Sequence, residues 1–430
     1  MEPDRAHGWR THRSKRFAAT VEPIRSAAIG VVVPVPYPST PNGKHMKSSK
    51  KRFKTLSLVL ACASLTVLSG LASAANNWNP QHILNAMKSP YQGNRASVAV
   101  IAHRGLVTNG CPENSTCSIL NTYRNNIEAI ELDVKQSSDG QPWLFHDQNA
   151  GRVIAHSPAF NIFQNGSNPA GWNPDIRTMT SHELVNSFLR DRNFAKTNYR
   201  PVPLANALDA VHHSANHMVV VLDLKTLDAV SRAADLALYL GMQNQVVLKF
   251  SASLLPRTPN DIVRYTKGVA FAPTVYAGDM DRLADGGYTG LCGLTVSNSP
   301  FCHVNAWIDQ ARIQKGFAWL EIGNKQPRRS DPTGELLASE QSKHLALGAF
   351  SPVPEYRISS HDGQHFVRSN GTCCAALSDY LTRTKHFGNE IADDRSDFGL
   401  QALAGFTNII SDDPLSITRS RIFRNTSRYE

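Results

Sequence analysis

The chain has 430 residues, 41% hydrophobic and 19% charged, a make-up that excludes a wholly disordered polypeptide. A formal charge of +10 first suggests nucleic acid or a membrane surface as partner. Residues 1–74, however, hold 12 of the 45 Lys/Arg and only 3 of the 35 Asp/Glu, so the rest of the chain is almost neutral and no nucleic-acid partner is expected.

The first 45 residues are rich in Pro, Arg and Ser, show no periodicity, and read as a non-native or dispensable extension. From Met46, the basic run Lys47 to Lys54, the apolar stretch Leu56–Leu71 and Ala72-Ser73-Ala74 have the three parts of a secretory signal peptide, here 46–74. The apolar stretch is shorter than the roughly 20 residues of a spanning helix and is interrupted by Ser and Gly, so no stable membrane span is expected. Cys62 follows Val59-Leu60-Ala61 in a weak lipobox-like context, but the hydrophobic stretch runs on past it. A secreted or periplasmic domain over 75–430 is the expectation. Its six cysteines (Cys111, Cys117, Cys292, Cys302, Cys373 and Cys374) suit disulfides in such a compartment. Short loops favour Cys111–Cys117 and Cys292–Cys302, and the absence of a C-x2-C pair argues against zinc.

Along the mature chain, apolar β-branched runs alternate with helix-like segments. Ser97–Ala102 and Ile127–Val134 predict the first two strands. Asp139-Gly140 then turns the chain into Pro142–His146, a connection too short for parallel strands and therefore an antiparallel hairpin. A long polar loop (148–178) and helical stretches at about 180–190 and 204–215 precede a strand at His217–Leu224. Five more strands are predicted at Val246–Phe250, Val269–Val275, Phe317–Ile322, Leu345–Phe350 and Thr407–Ile410, with helices at 228–241, 304–315 and 375–386. Eight core strands alternating with helices argue an α/β fold, a closed (β/α)8 TIM barrel with a β-hairpin after the second strand. An open doubly wound sheet also fits the alternation. Long insertions at 277–303 and 351–374 would lie at the barrel mouth, where their cysteines could pin loops.

The chemistry-bearing residues collect within about fifty positions. Glu131 and Asp133 are two apart in a strand, so both carboxylates share a face and would repel unless a cation lay between them. Oxygen ligands suit Ca²⁺ or Mg²⁺, and Asp223 at the end of the third core strand offers a third carboxylate. The apolar neighbours Ile130, Leu132 and Val134 leave a half-exposed alternating strand as the bland alternative. His103 and His146 end two strand-like runs and could exchange protons near neutral pH, their ordinary pKa being about 6.5. Arg104 and Lys225 suit a phosphate, Arg104 by a two-pronged contact.

His103-Arg104-Gly105, Pro112-Glu113-Asn114-Ser115, Glu131-Leu132-Asp133-Val134, Asp139-Gly140 and His146-Asp147 resemble, in order and spacing, the glycerophosphodiester phosphodiesterases. Weaker collinear matches follow at Val202-Pro203-Leu204, Leu222-Asp223-Leu224-Lys225, Lys249-Phe250-Ser251 and Ile409-Ile410-Ser411-Asp412-Asp413-Pro414. The resemblance implies a TIM barrel over 75–430 that hydrolyses a small-molecule phosphodiester to an alcohol and glycerol 3-phosphate with one divalent cation. It implies His103 and His146 as the acid/base pair, and Glu131, Asp133 and Asp223 as metal ligands. Arg104 and Lys225 would bind the phosphate, and Glu113 would support the site or contact the substrate. Two departures stand out: the third acidic ligand is commonly Glu in the family, and Ala349-Phe350-Ser351-Pro352 replaces the usual aromatic-Thr segment of the seventh strand. A phospholipase of the same barrel type, acting on intact lipids by D- or C-type cleavage, is a second reading. An inactive binding protein on the same scaffold is a third.

Other features have simpler explanations. His212, His213 and His217 fall at a helix C-terminus, where cations are favoured. Asn114, Asn165 and Asn370 begin glycosylation sequons, and Glu321 could line the pocket or form a structural ion pair.

Overall fold

In the computed structural model, residues 77–91, 97–157, 171–285, 300–324, 332–352 and 397–420 are described, together with short strands between 356 and 376 and the isolated positions Arg395, Thr426 and Tyr429. The readings of 1–45 and 46–74 fall outside these residues, as do Cys292, Asn165 and Asn370.

Eight parallel strands close a barrel. In chain order they are β1 (Ala99–His103), β2 (Ala129–Gln136), β4 (Val219–Leu224), β5 (Val246–Ser251), β6 (Ala270–Val275), β7 (Leu320–Ile322), β8 (Leu347–Ser351) and β9 (Asn408–Ser411); β3 (Pro142–Leu144) is the hairpin return. Pairing of β1 with both β2 and β9 completes the ring, so the closed barrel holds and the open sheet does not. β3 pairs antiparallel with the upper part of β2, Val134 opposite Leu144.

Strand parity divides the apolar residues into two cores. Outward residues such as Ile130, Leu132, Val220, Leu222, Leu248 and Phe271 pack under the surrounding helices, including Leu204–Ser214, Leu227–Tyr239 and Pro300–Arg312. Ile130 and Leu132 are fully buried, which disposes of the half-exposed strand. Inward residues (Ala99, Ile101, Ala129, Val221, Val247, Ala272, Trp319, Ile410) fill the barrel interior. The helix Pro80–Met87 and Tyr429 close its amino-terminal end through the same cluster, and Tyr429 donates its hydroxyl to buried Glu128 at 3.2 Å.

Trp319 fits because β8 carries Gly348, the register partner of Glu321, beside its indole. A Cβ at position 348 would lie 2.8 Å from the indole Cδ1 and Nε1. Gly348→Ala is therefore expected to overpack the barrel and cost about 1–3 kcal/mol, read as a lower urea midpoint at unchanged slope.

Three local expectations are corrected. The stretch 148–178 is not a plain polar loop. It contains a strand, Ile154–Ala155, paired with Phe188–Leu189, and its Ala150, Val153, Ile154 and Ile176 form a small core with Trp143 and Phe145 of the hairpin. The helix expected at 180–190 stops at Val185, after which the chain turns to the strand Phe188–Leu189. The helix expected from 375 begins instead within a strand, Cys373–Ala376, and the rest of that range lies outside the described residues.

The histidines at 212, 213 and 217 do not gather. His213 pairs with Asp209 on the exposed last turn of its helix, whereas His217 is buried between the rings of Tyr123 and Trp78. Among the described residues, no helix is long and apolar enough to cross a membrane.

Candidate active site

The inward face of the barrel changes from apolar to polar toward the carboxyl ends of the strands. Ile101 gives way to His103, Ala129 to Glu131 and Asp133, Val221 to Asp223, Val247 to Lys249, Ala272 to Thr274, and Trp319 to Glu321. Register then sets neighbours: His103 lies opposite Glu131, Asp133 opposite Asp223, Asp223 opposite Lys249, and Thr274 opposite Glu321. A cavity of about 440 Å³ opens above this layer, lined by His103, Arg104, Asp133, His146, Asp223, Lys225 and Lys249 on one side. Ser251, Ser253, Thr274, Tyr276, Asp279, Arg282, Glu321 and Phe350 line the rest.

The turn after β1 is what brings Arg104 inward. Arg104 and Gly105 both take positive φ, 58° and 80°, and a Cβ on Gly105 would sit 2.6 Å from Ser118 Oγ. The glycine of His103-Arg104-Gly105 is thus a packing requirement against the helix Thr116–Arg124. That helix is fixed by a reciprocal cap between Ser115 and Ser118. Asn114, also at positive φ, donates from Nδ2 to Asp133 Oδ2 and accepts from Asp133 N–H, both at 3.1 Å. The Pro112-Glu113-Asn114-Ser115 segment therefore cradles the second strand's carboxylate with backbone-like geometry.

A disulfide, Cys111–Cys117, closes this segment with a Cα separation of 5.5 Å. Cys302 is also disulfide-bonded. A Cys111→Ser/Cys117→Ser double variant, rather than a reductant, isolates the first bridge. It is expected to lose roughly 2 kcal/mol of stability through the entropy of the freed loop, together with activity as Glu113 and Asn114 become less fixed. Urea unfolding beside a rate assay checks both; an unchanged rate would confine the bridge to stability.

Each histidine leans on a carboxylate. His103 Nδ1 lies 2.5 Å from Asp412 Oδ1, and its Nε2 lies 3.9 Å from Glu131 Oε2. Burial disfavours charge on His103, but the carboxylates of Asp412 and Glu131 outweigh it and Arg104, so its pKa is raised. His146, 31% exposed at the side chain, places Nδ1 2.8 Å from Asp147 Oδ1. With Nδ1 tied to a carboxylate in both rings, Nε2 is the nitrogen left to exchange a proton.

Beneath the histidines runs a chain of buried ion pairs. Glu113 receives Arg104 at 3.2 and 3.3 Å, and Arg152 at 2.6 and 3.0 Å. Arg152 reaches on to Asp147, with Nη2 2.7 Å from Oδ1 and a short contact from Nε. Burial pushes against ionisation of Glu113 and Asp147, yet the arginines hold both below the ordinary carboxylate range. Glu113 thus lies behind Arg104 and is not among the residues lining the cavity.

The third group is a carboxylate cluster. Ligand atoms of His103, Glu131 and Asp133 lie within 4.8 Å of one another. Glu131 Oε1 and Asp133 Oδ1 are buried and accept no hydrogen bond among the described residues. Burial and the nearby Asp133 raise the Glu131 pKa. Burial opposes ionisation of Asp133 as well, but His146, Arg104 and Lys225 hold it well below its ordinary value. Two orphaned acceptors with hard oxygen character fit a divalent cation. Asp223 reaches the same cavity, but its Oδ2 accepts from Lys225 at 2.7 Å and lies 3.5 Å from Lys249. Glu321 both lines the cavity and pairs with Lys249 at 3.6 Å.

All eight sequence-assigned residues therefore belong to one neighbourhood. Sequence reasoning gave no role to Asp412, Asp147, Asn114, Arg152 or Lys249. Strand parity would have found Asp412 and Lys249, each two residues beyond an inward apolar position. Nothing local in the chain marks Arg152.

Residues 103–251 match the model of the Glycerophosphoryl diester phosphodiesterase family. A segment of 59 residues is 40% identical to "Glycerophosphodiester phosphodiesterase 1" of Rattus norvegicus and 37% identical to the protein of that name from Homo sapiens. That segment is 14% of this chain and spans only 18% of each relative's length. The fold resembles the crystal structure of a candidate glycerophosphoryl diester phosphodiesterase from Silicibacter pomeroyi, with TM-score 0.50 and 15% identity over 79% of this chain and 96% of that one.

Proposed function

We propose that the chain hydrolyses glycerophosphodiesters to an alcohol and glycerol 3-phosphate, using His103 and His146 for proton transfer and one divalent cation, Ca²⁺ or Mg²⁺. The observation that carries this reading is the convergence of two carboxylate-backed imidazoles, an inward arginine and orphaned carboxylate oxygens on one cavity at the carboxyl end of the barrel. The match of residues 103–251 to the family model supports it independently.

Arg104 and Lys225 would grip the non-bridging phosphate oxygens, Arg104 held in place by Glu113 behind it. One imidazole takes through Nε2 the proton of the substrate's own glycerol hydroxyl as that oxygen bonds to phosphorus, and the other protonates the departing alkoxide as its P–O bond breaks; water then opens the cyclic diester to glycerol 3-phosphate with the two imidazoles in reversed roles. Asp412 and Asp147 hold the two rings in place, and Asp412 also favours the charged form of His103. Glu131 and Asp133, with Asp223 as third ligand, would hold the cation. When bound, the cation offsets charge on the phosphate oxygens. Phe350 packs its ring 4.6 Å from that of His103, walling the cavity where the family's usual aromatic-Thr segment is absent.

The test incubates the protein with glycerophosphocholine and, separately, phosphatidylcholine, each with and without chelator. Release of glycerol 3-phosphate that stops with chelator and returns with Mg²⁺ or Ca²⁺ is expected. Turnover of the lipid alone would replace this reading with a phospholipase, and inertness toward both would leave a binding protein.

A further inference from the structure

We propose that Lys249 is a built-in counter-cation that competes with a divalent ion for Glu131 and Asp223, and so sets how tightly the carboxylate cluster holds that ion. The proposal rests on the metal reading above and adds to it a determinant of affinity.

Lys249 is 7% exposed, and its ammonium stands 3.4 Å from Glu131, 3.5 Å from Asp223 and 3.6 Å from Glu321. These carboxylates come from three different strands, β2, β4 and β7. A lysine committed to one partner sits nearer, at about 2.7–2.9 Å for a charge-assisted hydrogen bond. Here the ammonium is centred among three carboxylates and closes with none of them. Glu131 Oε1 and Glu321 Oε2, the two oxygens that face it, accept no hydrogen bond among the described residues.

The surroundings give Lys249 somewhere to stay when it yields. Glu321 is anchored by the Tyr276 hydroxyl, which donates to its Oε1 at 2.9 Å, so it remains a fixed partner. Asp223 already has a second cation in Lys225 at 2.7 Å. A divalent ion on Glu131 and Asp133 would then share Glu131 and Asp223 with the ammonium, and like charges so close in a buried site repel strongly. Occupancy by the ion and full pairing of Lys249 oppose one another. The lysine keeps the carboxylates from repelling when no ion is bound, and lowers affinity for the ion by the same interaction.

Mn²⁺ binding to the intact protein, followed by calorimetry and by the spin-resonance signal of the free ion, reads this without any substrate. Lys249→Met is expected to bind Mn²⁺ about tenfold more tightly or better, the direction set by loss of a unit charge beside the ligand oxygens. Its melting temperature should fall without metal and rise more than that of the wild type when Mn²⁺ is added. Lys249→Arg should stay near the wild type. Binding by Lys249→Met that is equal to or weaker than the wild type's overturns the proposal while leaving the metal reading intact. Absence of Mn²⁺ binding in both proteins overturns the metal reading and this proposal with it; binding only by Lys249→Met supports the proposal in its strongest form. Should Lys249→Met not fold, Glu321→Gln decides. Losing its anchor, the ammonium should lean harder on Glu131 and Asp223 and weaken Mn²⁺ binding about threefold or more, and unchanged or tighter binding overturns the idea.

Discussion

Replacing His103 by alanine is expected to lower kcat for glycerophosphodiester hydrolysis by about 10²–10⁴-fold, with a similar loss for His146→Ala. The alkoxide of an ordinary alcohol is a poor leaving group near neutral pH unless a proton reaches it, and an alcohol is a poor nucleophile unless its proton is taken. The proposed mechanism gives these two tasks to the two imidazoles, each of which has Nδ1 against a carboxylate. On the proposed mechanism both act in one transition state, so the double variant should be little worse than the worse single variant. Asp412→Asn, which keeps the size of the group but not its charge, should give a smaller loss and leave KM nearly unchanged. Steady-state rates, with melting curves to confirm folding, check all four proteins. A variant that keeps the wild-type kcat removes that histidine from proton transfer.

The barrel was legible because its strands are short, apolar and regularly spaced, and because a two-residue turn at Asp139-Gly140 left the chain only one way to go. The same parity that alternates Ile130, Leu132 and Val134 outward puts Glu131 and Asp133 inward, so half the site could be read from a single strand. What the sequence did not reveal is contact across the ring. Asp223 carries the right parity for a ligand, yet only the register of β4 against β5 shows it opposite Lys249. Asp412 lies 309 residues from the histidine it supports, and closure of the barrel alone brings them together. The stretch 148–178 looked like a loop because its apolar residues are too scattered to keep either period. They are buried by the hairpin's Trp143 and Phe145, which no local pattern announces.

Arg152, set in that stretch, is expected to be the costliest ion-pair residue of the site to lose: Arg152→Met should lower stability by about 3–5 kcal/mol near pH 7. The guanidinium is 6% exposed and makes paired contacts with Glu113 on one side and Asp147 on the other. Methionine fills similar space but leaves both carboxylates short of a cation where water hardly reaches. Glu113 retains Arg104 and Asp147 retains His146, so the fold should survive at reduced stability. Acid supplies the decisive control. Arg152 holds the pKa values of Glu113 and Asp147 below their ordinary 4.5 and 3.8. The unfolded chain therefore binds protons first as pH falls through that range, and the wild type loses the contribution of Arg152 progressively from there down through the lower folded pKa values. The stability gap between wild type and Arg152→Met should accordingly be full above pH 4.5 and narrow below 3.8. Arg152→Lys keeps the charge without the planar fork and should fall between them. Urea unfolding across that pH range reads the difference. A gap independent of pH would mean that Arg152 acts by packing alone. If the gap closes in acid while kcat at neutral pH also falls, the same guanidinium that stabilises the fold is holding Asp147, and through it His146, where proton transfer needs it.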